Sequence, residues 1–168
     1  MALAFHKILV PIDFSDTADA ALHYGKELAR LFAAELHLLH VLDDRQMFAG
    51  SSEWAALSVP TFQQQEPVLR DRLERMLTVE DRARLATQVH VAEGHPSSVI
   101  RRYATEGGFE LIVMGTHGRG FLEHMLMGSV AEQVVRAAPC PVLTIRHHRQ
   151  KVAASEALLR PAAIAPAH

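Results

Sequence analysis

LIVMGTHGRGFLEHMLMGSV, residues 111–130, decides how the rest of the chain is read. An apolar run, Leu111 to Met114, stops at Gly115, and Gly118 and Gly120 follow closely. Gly128-Ser129 then opens a segment with helical apolar spacing, carried by Val130, Val134 and Val135. A buried strand, a glycine-rich loop and a helix start make an anion cradle. Glycine lets backbone N–H groups approach a ligand without an intervening Cβ, and the helix N-terminus adds unpaired N–H groups and partial positive charge. The expected ligand carries phosphate. Two common phosphate loops are excluded: the chain has no GxxxxGK[ST], and no GxGxxG follows its first strand.

Working outward, short apolar runs alternate with helical patterns. His6 to Asp13 contains a continuous apolar run, which reads as a strand buried on both faces. Ser15 or Asp16 caps a helix over 17–33, and Glu35 to Leu42 is a second strand. Asp43 to Glu66 is a long excursion, with Pro67 placed in the first turn of the helix that follows. Strands are expected at 87–91, 110–114 and 142–145, and helices at 97–106 and 129–138. This order predicts an α/β fold, an open five-stranded parallel sheet with helices on both faces. Ligands of such sheets sit beyond the carboxyl ends of the strands. Asp13, Val41 to Asp44, and Gly115 therefore matter together.

The 168 residues suit one domain over 1–146 and a tail over 147–168, mobile or docked on a partner. Net charge is −2, from 17 basic and 19 acidic residues, so no nucleic-acid partner is expected. Eleven histidines raise the charge as pH falls towards about 6. The single cysteine, Cys140, rules out an internal disulfide and reads as a small apolar filler. No apolar run reaches about 18 residues, and the start lacks a signal-peptide pattern. A cytoplasmic protein without membrane contact is expected. His37 and His40, three apart on one strand, point to opposite faces and are poor partners for one metal ion.

The glycine spacing narrows the reading. Gly115, two residues, Gly118, nine residues and Gly128-Ser129 resemble the nucleotide-binding branch of the universal stress protein family at every fixed position. Val10 to Ser15 (VPIDFS), Leu39 to Asp43 (LHVLD) and Pro139 to Leu143 (PCPVL) resemble the same family in the same order. The resemblance covers roughly residues 5–146. It implies ATP as ligand, with Mg2+ or Mn2+ carried on its phosphates. It places Asp13 near the ribose and that metal, and Pro11 and Val41 at the adenine. Met114 and Gly115 take the nucleoside side; Gly118, Gly128, Ser129 and Val130 take the phosphates. It also implies a homodimer through strand 142–145.

Arg119 adds a planar donor and His117 a second polar group beside the cradle, although the resemblance assigns neither. The competing readings are an ordinary tight turn for the glycines, and an N-cap or solvated loop for Asp13. No motif clearly supplies a catalytic base, although His117, Glu123 and His124 lie close by in sequence. The leading expectation is an ATP-dependent regulatory module in a stress response, read by an unknown regulatory protein. The alternatives are a slow ATPase or self-phosphorylating enzyme, with Ser129 or Thr116 as acceptor, and a nucleotide-free dimeric scaffold.

Overall fold

The computed structural model describes residues 4–43, 60–116 and 127–146. Asp44, His117, Gly118, Arg119, Gly120, Glu123, His124, most of the excursion and the tail lie outside the described residues.

Five strands form one parallel sheet: β1 (Lys7–Pro11), β2 (Glu35–Leu42), β3 (Thr87–Glu93), β4 (Leu111–Gly115) and β5 (Val142–Ile145). Their order is β3-β2-β1-β4-β5. The chain builds outward from β1 to β3, then returns to the other side of β1 and builds outward again. β1 lies between β2 (Leu9 opposite His37) and β4 (Leu9 opposite Ile112). The order therefore reverses between β1 and β4, where a cleft opens naturally.

The strand sequences explain the layering. Ile8, Leu9 and Val10 are all fully buried, and successive side chains go to opposite faces. Ile8 and Val10 join the layer built with α1 (Asp16–Phe32) and α2 (Phe62–Arg75). Leu9 joins the layer built with α4 (Pro96–Glu106) and α5 (Ser129–Ala137). A continuous apolar run is what a strand covered on both sides requires.

Two elements differ from expectation. The helix placed at Pro67 starts at Phe62, with Pro67 inside it. Thr61 is its N-cap, and the Thr61 N–H donates to Gln64 Oε1 at 3.0 Å. This reciprocal cap sets the start before the proline is reached. A further short helix, α3 (Val79–Arg84), follows Thr78, whose hydroxyl accepts from the Asp81 N–H at 3.1 Å. Element boundaries otherwise agree within two residues.

His37 and His40 do take opposite faces. The His37 ring stacks on His90 with centroids 5.7 Å apart and meets Phe109 edge-on; Tyr103 packs beside them. Burial lowers the pKa of His37 and His90 and pushes the Tyr103 hydroxyl up to about 12. Cys140 packs against the α4–α5 layer, and burial raises its thiol pKa, as befits a filler. Among the described residues, no helix is long and apolar enough to cross a membrane.

Asp81 anchors α3 to α1. Its carboxylate is 1 % exposed and takes Lys26 Nζ at 2.7 Å and Arg30 at 2.6 Å. Burial pushes its pKa up. Hydrogen bonds from Lys26 and Thr78 outweigh that and hold it at about 2. Gly115 sets a second close approach: a Cβ there would meet the Thr17 backbone and side chain at 2.9 Å. α1 thus packs directly on the end of β4.

Two outcomes follow from these contacts. Asp81→Ala, which removes the buried link from α3 to Lys26 and Arg30 and the Thr78 cap, is expected to cost about 3 kcal/mol in urea unfolding. Because the folded pKa of Asp81 is depressed, its contribution of about 2 kcal/mol is present above pH 4. It is lost as pH falls through about 2, and unfolding curves across that range check it in wild type against Asp81→Asn. Gly115→Val is expected to push α1 from β4 and lower stability by about 2 kcal/mol. Unchanged unfolding midpoints for that variant contradict the packing.

Candidate functional site

A cleft of about 590 Å3 lies at the carboxyl end of the sheet, a volume suited to a small organic ligand. β1 and its following turn supply Pro11, Ile12, Asp13 and Phe14, and β2 supplies Leu39 to Asp43. β4 contributes Met114, Gly115 and Thr116. One wall is the start of α5, Gly128 to Ala131, with Pro96 and Ile100 of α4; the other is α2, through Gln65, Leu69 and Arg72. Eight residues singled out from the sequence therefore line one cleft: Pro11, Asp13, Val41, Met114, Gly115, Gly128, Ser129 and Val130. His117, Gly118 and Arg119 lie outside the described residues.

Asp13 is held by local chemistry. Its Oδ1 accepts from the Ser15 N–H at 3.0 Å and the Ser15 hydroxyl at 2.5 Å. Ser15, not Asp13, caps α1, accepting from the Ala18 N–H at 3.3 Å. Asp13 is thus a positioned carboxylate on the cleft rather than a helix cap. A carboxylate of this kind matches ribose hydroxyl donors or a phosphate-borne cation, which Mg2+ accepts from one or two carboxylates plus phosphates. Among the described residues no group of three or more His, Cys, Asp or Glu could hold a metal ion by itself. A metal here would depend on the ligand's own oxygens.

The start of α5 carries the anion chemistry. Its N-cap is Gly128, not Ser129, and no side chain caps it. Ser129 is the first helical residue. The Gly128 N–H donates to the Thr116 carbonyl at 2.6 Å, and the Gly128 carbonyl accepts from Glu132 at 2.9 Å. The N–H groups of Ser129, Val130 and Ala131 belong to the first turn, which has no intrahelical acceptors. All three residues line the cleft. Helix-end N–H groups at a concave surface favour an anion. Gly128 contributes clearance and a fixed turn, while the next three residues supply the donors.

The sequence reading missed the α2 wall and Phe14. Phe14 adopts φ 61°, rare for a residue with a Cβ. Its ring lies 4.7 Å from that of His40, whose Nδ1–H donates to the Ile12 carbonyl at 2.7 Å. The only sequence signal was VPIDFS itself, which placed Phe14 beside Asp13. Thr116, an acceptor candidate for self-phosphorylation, is 2 % exposed, whereas Ser129 is exposed at the cleft.

Comparison with known proteins agrees with this architecture. A profile of the universal stress protein family matches residues 4–146. A universal stress protein of Methanocaldococcus jannaschii is 31% identical over 158 residues, covering 87% of this chain and 98% of that protein. The solved universal stress protein UspA from Lactobacillus plantarum superposes with a TM-score of 0.74 at 28% identity, covering 86% of this chain and 100% of that one. A universal stress protein from Archaeoglobus fulgidus, solved in complex with dAMP, shares the fold at 22% identity and a TM-score of 0.57, with 85% and 99% covered. With its fold, its strand-end cleft and a family match over most of its length, the chain belongs to the universal stress protein family.

Proposed function

We propose that the chain binds ATP in the strand-end cleft and acts as a nucleotide-dependent regulatory module in a stress response, read by a partner protein. The carrying observation is the convergence of Asp13, Val41, Gly115 and the uncapped start of α5 on one cleft. Phosphates go to the N–H groups of Ser129 to Ala131, and the glycine spacing assigns Gly118, with His117 and Arg119 as further candidates, to the same phosphates. Asp13 takes the ribose and any Mg2+ or Mn2+ carried by the phosphates. Pro11, Val41 and Met114 flank the base. The Archaeoglobus fulgidus relative carries dAMP, an adenine nucleotide. At that identity its likeness speaks to the fold, so the ligand reading rests on this chain's own cleft and glycine spacing.

Binding rather than turnover is the reading we propose. Phosphoryl transfer needs charge stabilisation and a positioned nucleophile around the phosphates. The sequence carries no motif that clearly supplies a base for water, and the glycine spacing is that of a binding cradle. We further propose that strand 142–145 pairs with its copy in a homodimer. β5 is a sheet edge, and its Leu143 is exposed.

Nucleotide released from the denatured protein, or ATP binding on titration, is the expected result, whereas neither release nor binding overturns the reading. Gly128 sits at φ −72°, open to any residue. Gly128→Val is therefore expected to keep the fold while lowering ATP affinity at least about tenfold by crowding the ligand. Light scattering at micromolar concentration should give the mass of two chains; a monomer contradicts the pairing.

A further inference from the structure

Arg72 differs from its neighbours on α2. Arg70 pairs with Glu66 and Arg75 with Asp71, each one helical turn back. The residues three and four away from Arg72 are Leu69, Val68, Arg75 and Met76, none of them acidic. Among the described residues no ion pair holds Arg72. Its guanidinium carbon instead lies 3.8 Å from the centre of the Phe14 ring. The stack continues from Phe14 to His40, which is fixed to the Ile12 carbonyl. A phenylalanine at positive φ costs free energy, and such strain tends to persist where a site uses it. Here it presents a ring that seats a cation at the rim of the cleft.

Position decides what that cation meets. α2 packs on β2 and β3, whereas α5 packs on α4 and β5. Arg72 and the start of α5 therefore stand on opposite walls of the same cleft. If phosphates occupy the α5 wall, the base lies towards α2. A guanidinium is planar, with two faces and a rim of N–H donors. One face is taken by Phe14; among the described residues no hydrogen bond or ion pair takes the rim, which can donate to a ligand. A purine offers a wide π face and ring-nitrogen acceptors, and stacking on cationic and aromatic side chains is favourable.

We propose that Arg72, seated on Phe14, is a specificity-determining residue that stacks on and donates to the purine base of the bound nucleotide. This rests on the ATP-binding reading above, with phosphates at α5. The side chain is exposed and holds no ion pair among the described residues, so its replacement is expected to leave the fold intact.

The test is calorimetric titration of the full chain with ATP, UTP and inorganic tripolyphosphate, in wild type, Arg72→Met and Arg72→Lys. Met keeps an unbranched stem against Phe14, and Lys keeps the charge without the plane. Arg72→Met is expected to weaken ATP about tenfold, the scale of a lost cation–π and stacking contact. UTP should weaken less, so the purine preference narrows, and tripolyphosphate binding should not change. Arg72→Lys should recover only part of the ATP loss. Wild-type ATP affinity in Arg72→Met overturns this inference alone. So does an equal loss for ATP and tripolyphosphate, which would make Arg72 a phosphate anchor. Wild-type protein that binds no ATP overturns the nucleotide reading and this inference with it.

Discussion

The cleft depends on one main-chain junction at Thr116. Its N–H donates to the Ile145 carbonyl at 2.9 Å, and its carbonyl accepts from the Gly128 N–H at 2.6 Å. These two bonds tie the end of β4 to the end of β5 and fix where α5 begins. Thr116 is 2 % exposed, so both bonds lie away from competing water. The bond to Gly128 fixes the first residue of α5, while buried Ala131 and the Ser97 hydroxyl, which donates to Gln133 Oε1 at 2.8 Å, hold the next turn against α4. The same bond uses up the Gly128 amide and leaves the cleft-facing donors to the three residues after it.

The rest of the scaffold positions that junction. The parallel sheet reverses its order between β1 and β4, which parts the flanking segments and leaves space above the strand ends. Thr17 of α1 fills the approach over Gly115, so β4 cannot drift. Far from the cleft, the buried Asp81 carboxylate, paired with half-buried Lys26 and exposed Arg30, locks α3 against α1. Removing either cation leaves the buried carboxylate under-compensated. The site is therefore a rigid floor between two walls, each wall brought by a helix from a different face of the sheet.

Much of this was legible in the sequence because it rests on local pattern. Ile8 to Val10 and Leu111 to Met114 are continuous apolar runs, and only strands covered on both faces need them. The glycine spacing and the strand-end rule together brought Asp13, Val41, Gly115 and Gly128 to one place. What was not legible depends on tertiary contact or competing local signals. Pro67 looked like a helix start, but the Thr61 and Gln64 cap acts earlier in the chain. α3 spans under two turns, too short for periodicity, and nothing in the local sequence sets Asp81 apart from Glu80 and Arg82. The Arg72–Phe14 stack joins residues 58 positions apart and follows no spacing rule.

The most direct test is amide NMR of the uniformly labelled chain during titration with ATP. The largest shifts should fall on the amides of Ser129, Val130 and Ala131, with smaller ones at Asp13, Val41 and Gly115. The amides of Thr78 to Asp81, beneath α1, should stay still. Saturating ATP that leaves 129–131 unmoved, or that shifts only residues away from the strand ends, would contradict the account.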